Sequence, residues 1–334
     1  MDSLLPFEIQ ISMMIQSLGN WLYLPMRAFS WLGSEQAFLI LIPTLYWCVS
    51  PGLGLRIGVM LLATNSVNTV LKIGFHSPRP YWVDPQVQAF AHETSFGLPS
   101  GHSQTAASVW GLLSRMAKQR WLKYGLIFTI ISIGFSRLYL GVHFTRDVLS
   151  GWLIGAFLVW LFTALEKPVI TWFERTKLVQ VWLVLWLCSI LIFTTILGIS
   201  TFTQNQFKIP DEWIKNAALI APETPIHPFG FENGFTIAGT FFGISSGFGW
   251  LAKKNKLFTV HKNSLHPLYC LLVGIAGLLL LYLGLGAIFP REANWISYFA
   301  RYLRYTLIGL WVSAAAPLLF LRLGWMSRYQ SPQS

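Results

Sequence analysis

The chain has 334 residues, of which 54% are hydrophobic and only 11% charged, and it carries 16 tryptophans. Charged residues make up roughly a quarter of an ordinary soluble domain, so the composition excludes one and indicates a polytopic membrane protein. The net charge of +11 does not point to nucleic acid, because the basic residues fall in short clusters between apolar runs rather than along one surface.

In chain order, the start MDSLLPFEIQISMMIQSLGN carries acids and no basic n-region, so no cleavable signal peptide is expected. Its alternation is amphipathic and predicts that residues 5–30 lie on or near the membrane surface, within an N-terminal interfacial segment 1–33. Apolar runs near 35–50, 54–72, 101–117, 122–137, 146–165, 178–199, 232–251, 267–289 and 302–322 then predict an all-α bundle of about nine transmembrane helices. A soluble helical protein would need polar faces on these runs, and 178–199 has almost none. Residues 34–177 form the expected catalytic core, and 178–334 carry further spans without recognisable chemistry. Cys48, Cys188 and Cys270 all sit inside apolar runs, which fits buried thiols better than a disulfide framework or metal ligands.

Loop charges set an expected orientation. Arg115, Lys118, Arg120 and Lys123 follow the third run, Lys167, Arg175 and Lys177 the fifth, and Lys253, Lys254, Lys256 and Lys262 the seventh. With nine spans all three loops share one side, which the positive-inside rule makes cytoplasmic. The N-terminus and the connection 200–231, with Asp211, Glu212 and Glu223, then face out, and the C-terminus faces in. A bacterial inner membrane or its equivalent is the expected location.

Three blocks carry chemistry, all expected on the outer side: Lys72-Ile-Gly-Phe-His-Ser-Pro-Arg79-Pro80, Pro99-Ser100-Gly101-His102 and Ser136-Arg137-Leu-Tyr-Leu-Gly-Val-His143-Phe-Thr-Arg-Asp147. Cations and hydrogen-bonding groups around two histidines suit a tetrahedral oxyanion that one imidazole attacks while the other protonates what leaves. Asn65, Asn68 and Lys72 share a helix face leading to the outer end, although a lone lysine there is usually a snorkelling anchor. Ser100 reads first as an N-cap, and the same N-terminus, with the Gly101 amide, suits an anion. His143 and Asp147 are four apart, so on one helix the carboxylate can accept the ring N–H and fix the tautomer. Arg146 reads as a rim charge, and His92 and Glu93 as loop residues near the mouth, more often merely solvated.

These blocks resemble, position for position, the three-part signature of the type 2 phosphatidic acid phosphatase superfamily: Lys-x6-Arg-Pro, Pro-Ser-Gly-His and Ser-Arg-x5-His-x3-Asp. Arg79-Pro-Tyr-Trp and Glu93-Thr-Ser-Phe-Gly look like the branch that includes glucose-6-phosphatase and sphingosine-phosphate phosphatases. The resemblance implies that His143 is the nucleophile of a phosphohistidine intermediate, Asp147 its orienting partner and His102 the general acid. It also implies that Lys72, Arg79 and Arg137 cradle the phosphate with Ser100 and Gly101. No His-Glu-x-x-His, Cys-x-x-Cys pair or Asp-x-Asp loop is present, so a reaction without metal or other cofactor is expected.

The expected activity is phosphomonoester hydrolysis on a phosphorylated lipid, whose chain stays in the bilayer while its headgroup enters. A sugar-phosphate or isoprenyl-diphosphate phosphatase and a lipid phosphotransferase remain open within the same chemistry. A vanadium haloperoxidase is disfavoured by the spans, and a transporter or lipid-binding scaffold by the intact set of charges.

Overall fold

The computed structural model describes residues 5–261, 264–290, 292 and 294–329. Residues 1–4 of the expected N-terminal segment, Lys262 and residues 330–334 lie outside the described residues. The described chain is helical except for loops and one antiparallel pair, β1 (Phe258–Val260) with β2 (Met326–Arg328). Helices α1 (Leu5–Gln16), α2 (Tyr23–Leu32), α3 (Glu35–Thr44), α4 (Pro51–Phe75) and α5 (Pro80–Val83) lead to the loop 84–100. There follow α6 (Gly101–Thr105), α7 (Gly111–Met116), α8 (Arg120–Tyr139), α9 (Thr145–Arg175), α10 (Leu178–Gln206) and α11 (Asp211–Ile220). The chain ends with α12 (Glu232–Lys253), α13 (His266–Ile288), α14 (Trp295–Leu310) and α15 (Ala316–Arg322).

Six helical segments are long and apolar enough to cross a membrane, or seven if the pair Asn20–Leu32 and Glu35–Val49, bent by 52°, is one span. The expected count of nine is therefore not reproduced by length and composition. Helix falls on all nine expected runs, but α6–α7 and α8 miss the criterion. Arg115, Arg120, Lys123 and Arg137 dilute their hydropathy, and sixteen residues from 101 to 116 rise only about 24 Å, against the ~30 Å of a hydrocarbon core. The N-terminal segment also differs from a plain amphipathic helix. In α1 Glu8 and Ser12 are buried while Phe7 and Met14 are exposed, and α2 belongs to the bent pair.

The residues gather into two compact units, 1–38 with 63–163 and 196–230, and 39–62 with 164–195 and 231–334. The first draws on both sides of the divisions at 33 and 177 expected from sequence, and the second on both sides of 177 alone.

In the first unit, small residues bring backbones together. A β-carbon at Gly151 of α9 would lie 2.8 Å from the Ser100 carbonyl oxygen, and one at Gly155 would strike the Gln104 carbonyl oxygen, so only glycine lets α9 approach α6 this closely. The loop 84–100 is packed rather than solvated. Val87 and Phe96 of the loop are buried, as are Tyr81 and Trp82 of α5 before it, and Phe96 meets Phe207 and Phe229 edge-on. Its backbone is tied by Gly97 N–H to the Ser77 carbonyl at 2.8 Å and by Phe90 N–H to the Leu140 carbonyl at 3.0 Å.

In the second unit, α12 and α14 pack along Gly239, Gly243 and Gly247, where a β-carbon would run into the Tyr302 carbonyl, the Thr306 carbonyl and the Ser313 hydroxyl. The same glycine backbone accepts hydrogen bonds across the interface, Thr306 Oγ1 to the Gly239 carbonyl and Ser313 Oγ to the Gly243 carbonyl, both 3.2 Å. Between α14 and α15 the helix widens to π geometry over Trp311–Ala315. Such a turn disturbs the regular carbonyl pairing. Trp47 Nε1 donates to the Val312 carbonyl at 3.0 Å and Tyr46 Oη to the Ser313 carbonyl at 2.8 Å. Those two aromatics join Leu251, Phe258, Cys270, Phe320 and Met326 in the core that the β1–β2 pair closes.

Candidate active site

The first block is shaped by prolines. Helix α4 ends where Pro78 and Pro80 remove amide donors, His76 turns at φ 38°, and Arg79 lies extended before Pro80 opens α5. This directs the Arg79 side chain inward, where it is fully buried. Its Nε donates to the Ser95 carbonyl at 2.7 Å, Nη1 to the Val142 carbonyl at 2.9 Å, and Nη2 to the Phe96 carbonyl at 3.1 Å. Lys72 Nζ shares that loop, donating to Ser95 Oγ at 3.0 Å and the Phe96 carbonyl at 2.8 Å. The buried polar stripe of α4 consists of Thr64, Asn68 and Lys72, whereas Asn65 is half-buried. Asn68 Nδ2 donates to Gln104 Oε1 at 2.9 Å and the Pro99 carbonyl at 3.2 Å, which fixes the second block against the first.

Ser100 caps α6 as its type predicts, Oγ accepting from Ser103 N–H at 3.4 Å and Ser103 Oγ at 3.0 Å. Its own N–H donates to the Asp147 carbonyl at 2.9 Å, joining the second block to the third. Gly101 faces Asn68 and Lys72, its absent β-carbon 3.1 Å from Asn68 Oδ1 and 3.9 Å from Lys72 Cε. His102, in the first turn of α6, lies over Gly33, whose glycine leaves room for the ring.

The third block turns on Gly141. At φ 70° it ends α8 in the left-handed region, and a β-carbon there would also strike the Gln88 carbonyl. The chain then reverses through His143 into α9. His143 Nδ1 lies 3.2 Å from Asp147 Oδ2, which also accepts from Phe144 N–H at 3.0 Å. His143 Nε2 lies 3.2 Å from Arg79 Nη1. A guanidinium only donates, so Nε2 accepts, and Nδ1 carries the proton toward Asp147. Burial pushes the His143 imidazole well below its ordinary value, and Arg79 and Lys72 act in the same direction. The result is a neutral histidine of one tautomer with its Nε2 lone pair facing a cation.

Arg137, buried at the end of α8, donates to Ser30 Oγ at 2.6 Å and pairs with Glu93 Oε1. The other Glu93 oxygen is 3.8 Å from Arg79 Nη2, so one carboxylate spans two arginines from two blocks. Burial alone would raise the Glu93 carboxyl, but Arg79 and Arg137, with His102 and Lys72 behind them, hold it well below the usual carboxylate range. Arg137 Nε and Asp147 Oδ1 are buried without a hydrogen-bond partner among the described residues.

The expected residues Lys72, Arg79, Ser100, Gly101, His102, Arg137, His143 and Asp147 thus come together in the first unit. Glu93, expected near the mouth, instead sits between the arginines, and its segment Glu93-Thr-Ser-Phe-Gly had stood out only by resemblance. Ser30, which receives a hydrogen bond from Arg137, carried no sequence signal. Arg146, expected as a rim charge, is partly exposed and has a partner: its Nε lies 3.2 Å from Oε2 of the buried Glu8, and its ring neighbour is Phe144. Helix α1 places Glu8 there, at a sequence separation that no local pattern reveals.

A sequence model described as the PAP2 superfamily matches residues 53–171, and one described as PAP2 superfamily phosphatase, transmembrane extension, matches residues 235–328. Phosphatidylglycerophosphatase B of Bacillus subtilis (strain 168) is 34% identical over 102 residues, covering 26% of this chain and 49% of that protein. Glucose-6-phosphatase 3 of Bos taurus is 29% identical over 188 residues, covering 49% and 54%. A probable sphingosine-1-phosphate phosphatase of Dictyostelium discoideum is 31% identical over 169 residues, covering 44% and 40%. The crystal structure of a transmembrane PAP2-type phosphatidylglycerolphosphate phosphatase from Bacillus subtilis has 25% identity and a TM-score of 0.45, covering 51% of this chain and 89% of that one. The chain spans about half the length of the curated relatives it matches.

Proposed function

Because the chain belongs to the PAP2 superfamily, we propose that it is a membrane phosphatase that hydrolyses a lipid phosphate monoester through a phosphohistidine at His143, without a metal. The observation that carries this reading is the buried series Asp147–His143–Arg79, with 3.2 Å at each histidine nitrogen. It prepares the nucleophile before substrate arrives.

In this reading the substrate phosphate takes the place of the Glu93 carboxylate between Arg79 and Arg137, with Lys72 and the Gly101 amide on its remaining oxygens. His143 Nε2 attacks phosphorus as the bond from phosphorus to the ester oxygen breaks, and His102 gives that oxygen its proton. Asp147 stabilises the imidazolium that forms. A water then attacks the phosphohistidine, His102 takes its proton, and phosphate and neutral His143 are released. Charge growing on the equatorial oxygens meets three cations already in place, and one such donor is commonly worth about 3–4 kcal/mol.

Lipid is the preferred substrate because the site belongs to apolar helices, so an acyl chain remains in the bilayer while the headgroup reacts. The names of the relatives include phosphatidylglycerophosphatase and sphingosine-1-phosphate phosphatase, which supports this choice. Glucose-6-phosphatase 3 among them supports a sugar phosphate as the second reading. Sidedness follows from charge: if α6–α7 and α8 cross, the turn with Arg115, Lys118, Arg120 and Lys123 faces the cytoplasm and the site opens extracytoplasmically.

The test is phosphate release by the purified full chain from lipid phosphates and glucose 6-phosphate, with EDTA present and His143→Ala beside it. Release from a lipid, lost in the variant, is expected. Turnover that survives in His143→Ala, or that EDTA abolishes, would overturn the mechanism.

A further inference from the structure

Outside the histidine site, the second unit holds a cavity of about 660 Å³ where the start of α12, the end of α13 and the start of α14 meet. Its charged lining is two arginines and two carboxylates, Arg301 and Arg304, one turn apart on α14, with Glu232 and Glu292, and Tyr282 and Tyr298 stand beside them. None of the residues assigned to the reaction takes part. The volume falls in the range of about 300–1,000 Å³ typical of small-ligand sites.

The two arginines are the feature that asks for an explanation. They lie in Trp295–Arg322, a segment long and apolar enough to span a membrane, where a cation is expensive and points to function by default. Neither forms an ion pair among the described residues, and Arg304 Nε is buried without a hydrogen-bond partner. Arg304 is instead held by ring faces, 5.3 Å over Tyr282 and 5.0 Å over Tyr305. Gly286 leaves it space, since a β-carbon there would stand 3.0 Å from Nη1. A guanidinium positioned by aromatic rings with its donors unspent is suited to bidentate capture of an oxyanion.

The surroundings identify the source of that oxyanion. Leu280, Leu283 and Ile288 on α13 and Ile296 and Phe299 on α14 are all more than 60% exposed, on segments that meet the membrane criterion. Acyl chains therefore pack beside the opening. Glu232 on the wall suits the ammonium of a zwitterionic headgroup while the arginines take its phosphate.

We propose that this cavity binds the phosphodiester headgroup of a membrane phospholipid, with Arg301 and Arg304 on the phosphate. The site goes beyond the phosphatase reading and does not depend on it. The test is native mass spectrometry of the delipidated full chain, titrated with phosphatidylethanolamine or with diacylglycerol of the same acyl chains, for the parent and for Arg301→Gln/Arg304→Gln. Lipid bound at the histidine site is common to both proteins and cancels in the difference. We expect the parent to retain one more phosphatidylethanolamine than the double variant, with affinity at this site lowered at least tenfold by the substitutions and diacylglycerol indifferent to them. Equal phosphatidylethanolamine binding by the two proteins would overturn the proposal. Should the double variant fail to fold, the parent alone decides: diacylglycerol binding as tightly as phosphatidylethanolamine refutes it. Inorganic phosphate displacing the additional lipid supports recognition through the phosphate; phosphate bound at the arginines with no lipid retained there would refute the lipid source.

Discussion

Arg79 and Arg304 solve the same physical problem in different ways. Arg79 is fully buried and spends its donors on the Ser95, Phe96 and Val142 carbonyls and on His143. Arg304 has no such partners and rests on two tyrosine rings. An arginine surrounded by backbone oxygens is held rigidly and can act on a transition state without reorganisation. One held by ring faces keeps its hydrogen-bonding capacity for a ligand. Burial of a cation alone therefore does not identify its task; the acceptors around it do.

The sharpest break of that comparison is at His143. His143→Ala should abolish phosphate release, and Asp147→Asn, which keeps the shape but not the charge, should lower kcat by about 10³–10⁴-fold. A loss of less than tenfold in Asp147→Asn would mean that Arg79, rather than the carboxylate, sets the tautomer.

Next in size is Glu93→Gln. Arg137 and Arg79 lose a charged partner, and hydrogen bonds to charged groups are each worth about 1.5–3 kcal/mol, so the variant should unfold at lower temperature. Inorganic phosphate should restore more stability to the variant than to the parent, because it fills the place Glu93 held. Equal phosphate-induced shifts in Tm would show that the carboxylate and phosphate do not share that place.

A third measurement is the acid limb of kcat/KM, which reports groups of the free enzyme. His143 must be neutral to attack, and its ionisation lies well below the ordinary 6.5. After correction for the substrate's own phosphate ionisation, activity should hold as pH falls through 6.5 and decline only in stronger acid. The stability sign agrees: an unfolded histidine takes up a proton below about 6.5 that the folded one refuses, so stability declines as pH falls below that value. An acid limb centred near 6.5 would place the essential histidine in water.

The smallest expected effect is that of Arg301→Gln/Arg304→Gln on phosphate release, within about threefold, against at least a tenfold loss of affinity at their own cavity, where tenfold is about 1.4 kcal/mol. The first is read by phosphate assay and the second by the lipid titration. A large loss of turnover would erase the distinction between the two regions.

Much of this was legible because the decisive signals are local. Lys72 to Pro80, Pro99 to His102 and Ser136 to Asp147 each carry their chemistry within a dozen residues, and His143 meets Asp147 four residues on, although His143 precedes α9 rather than sharing its face. Glu93 was harder to place, because its partners Arg79 and Arg137 reach it only through the fold of a loop without periodicity. The partner of Arg146 was hidden for the same reason: Glu8 arrives from the opposite end of the unit's sequence. The count of spans exceeded what length and hydropathy support, because α6–α7 and α8 carry charges that a bundle tolerates and a hydropathy window does not.

The glycines at 239, 243 and 247 have one further consequence. They form three notches at a constant interval, each filled by backbone or a short side chain of the facing helix. Sliding α14 by one residue would empty the notches and press larger side chains against ridges, so the pair has a single register, much as a key has one depth in its lock. Arg301 and Arg304 lie within the 302–313 stretch or one residue before it, and their height along α12 is therefore set by residues that carry no charge at all. A change as small as one methyl group at Gly243 would reset that height, and its effect would be felt first in what the arginines hold.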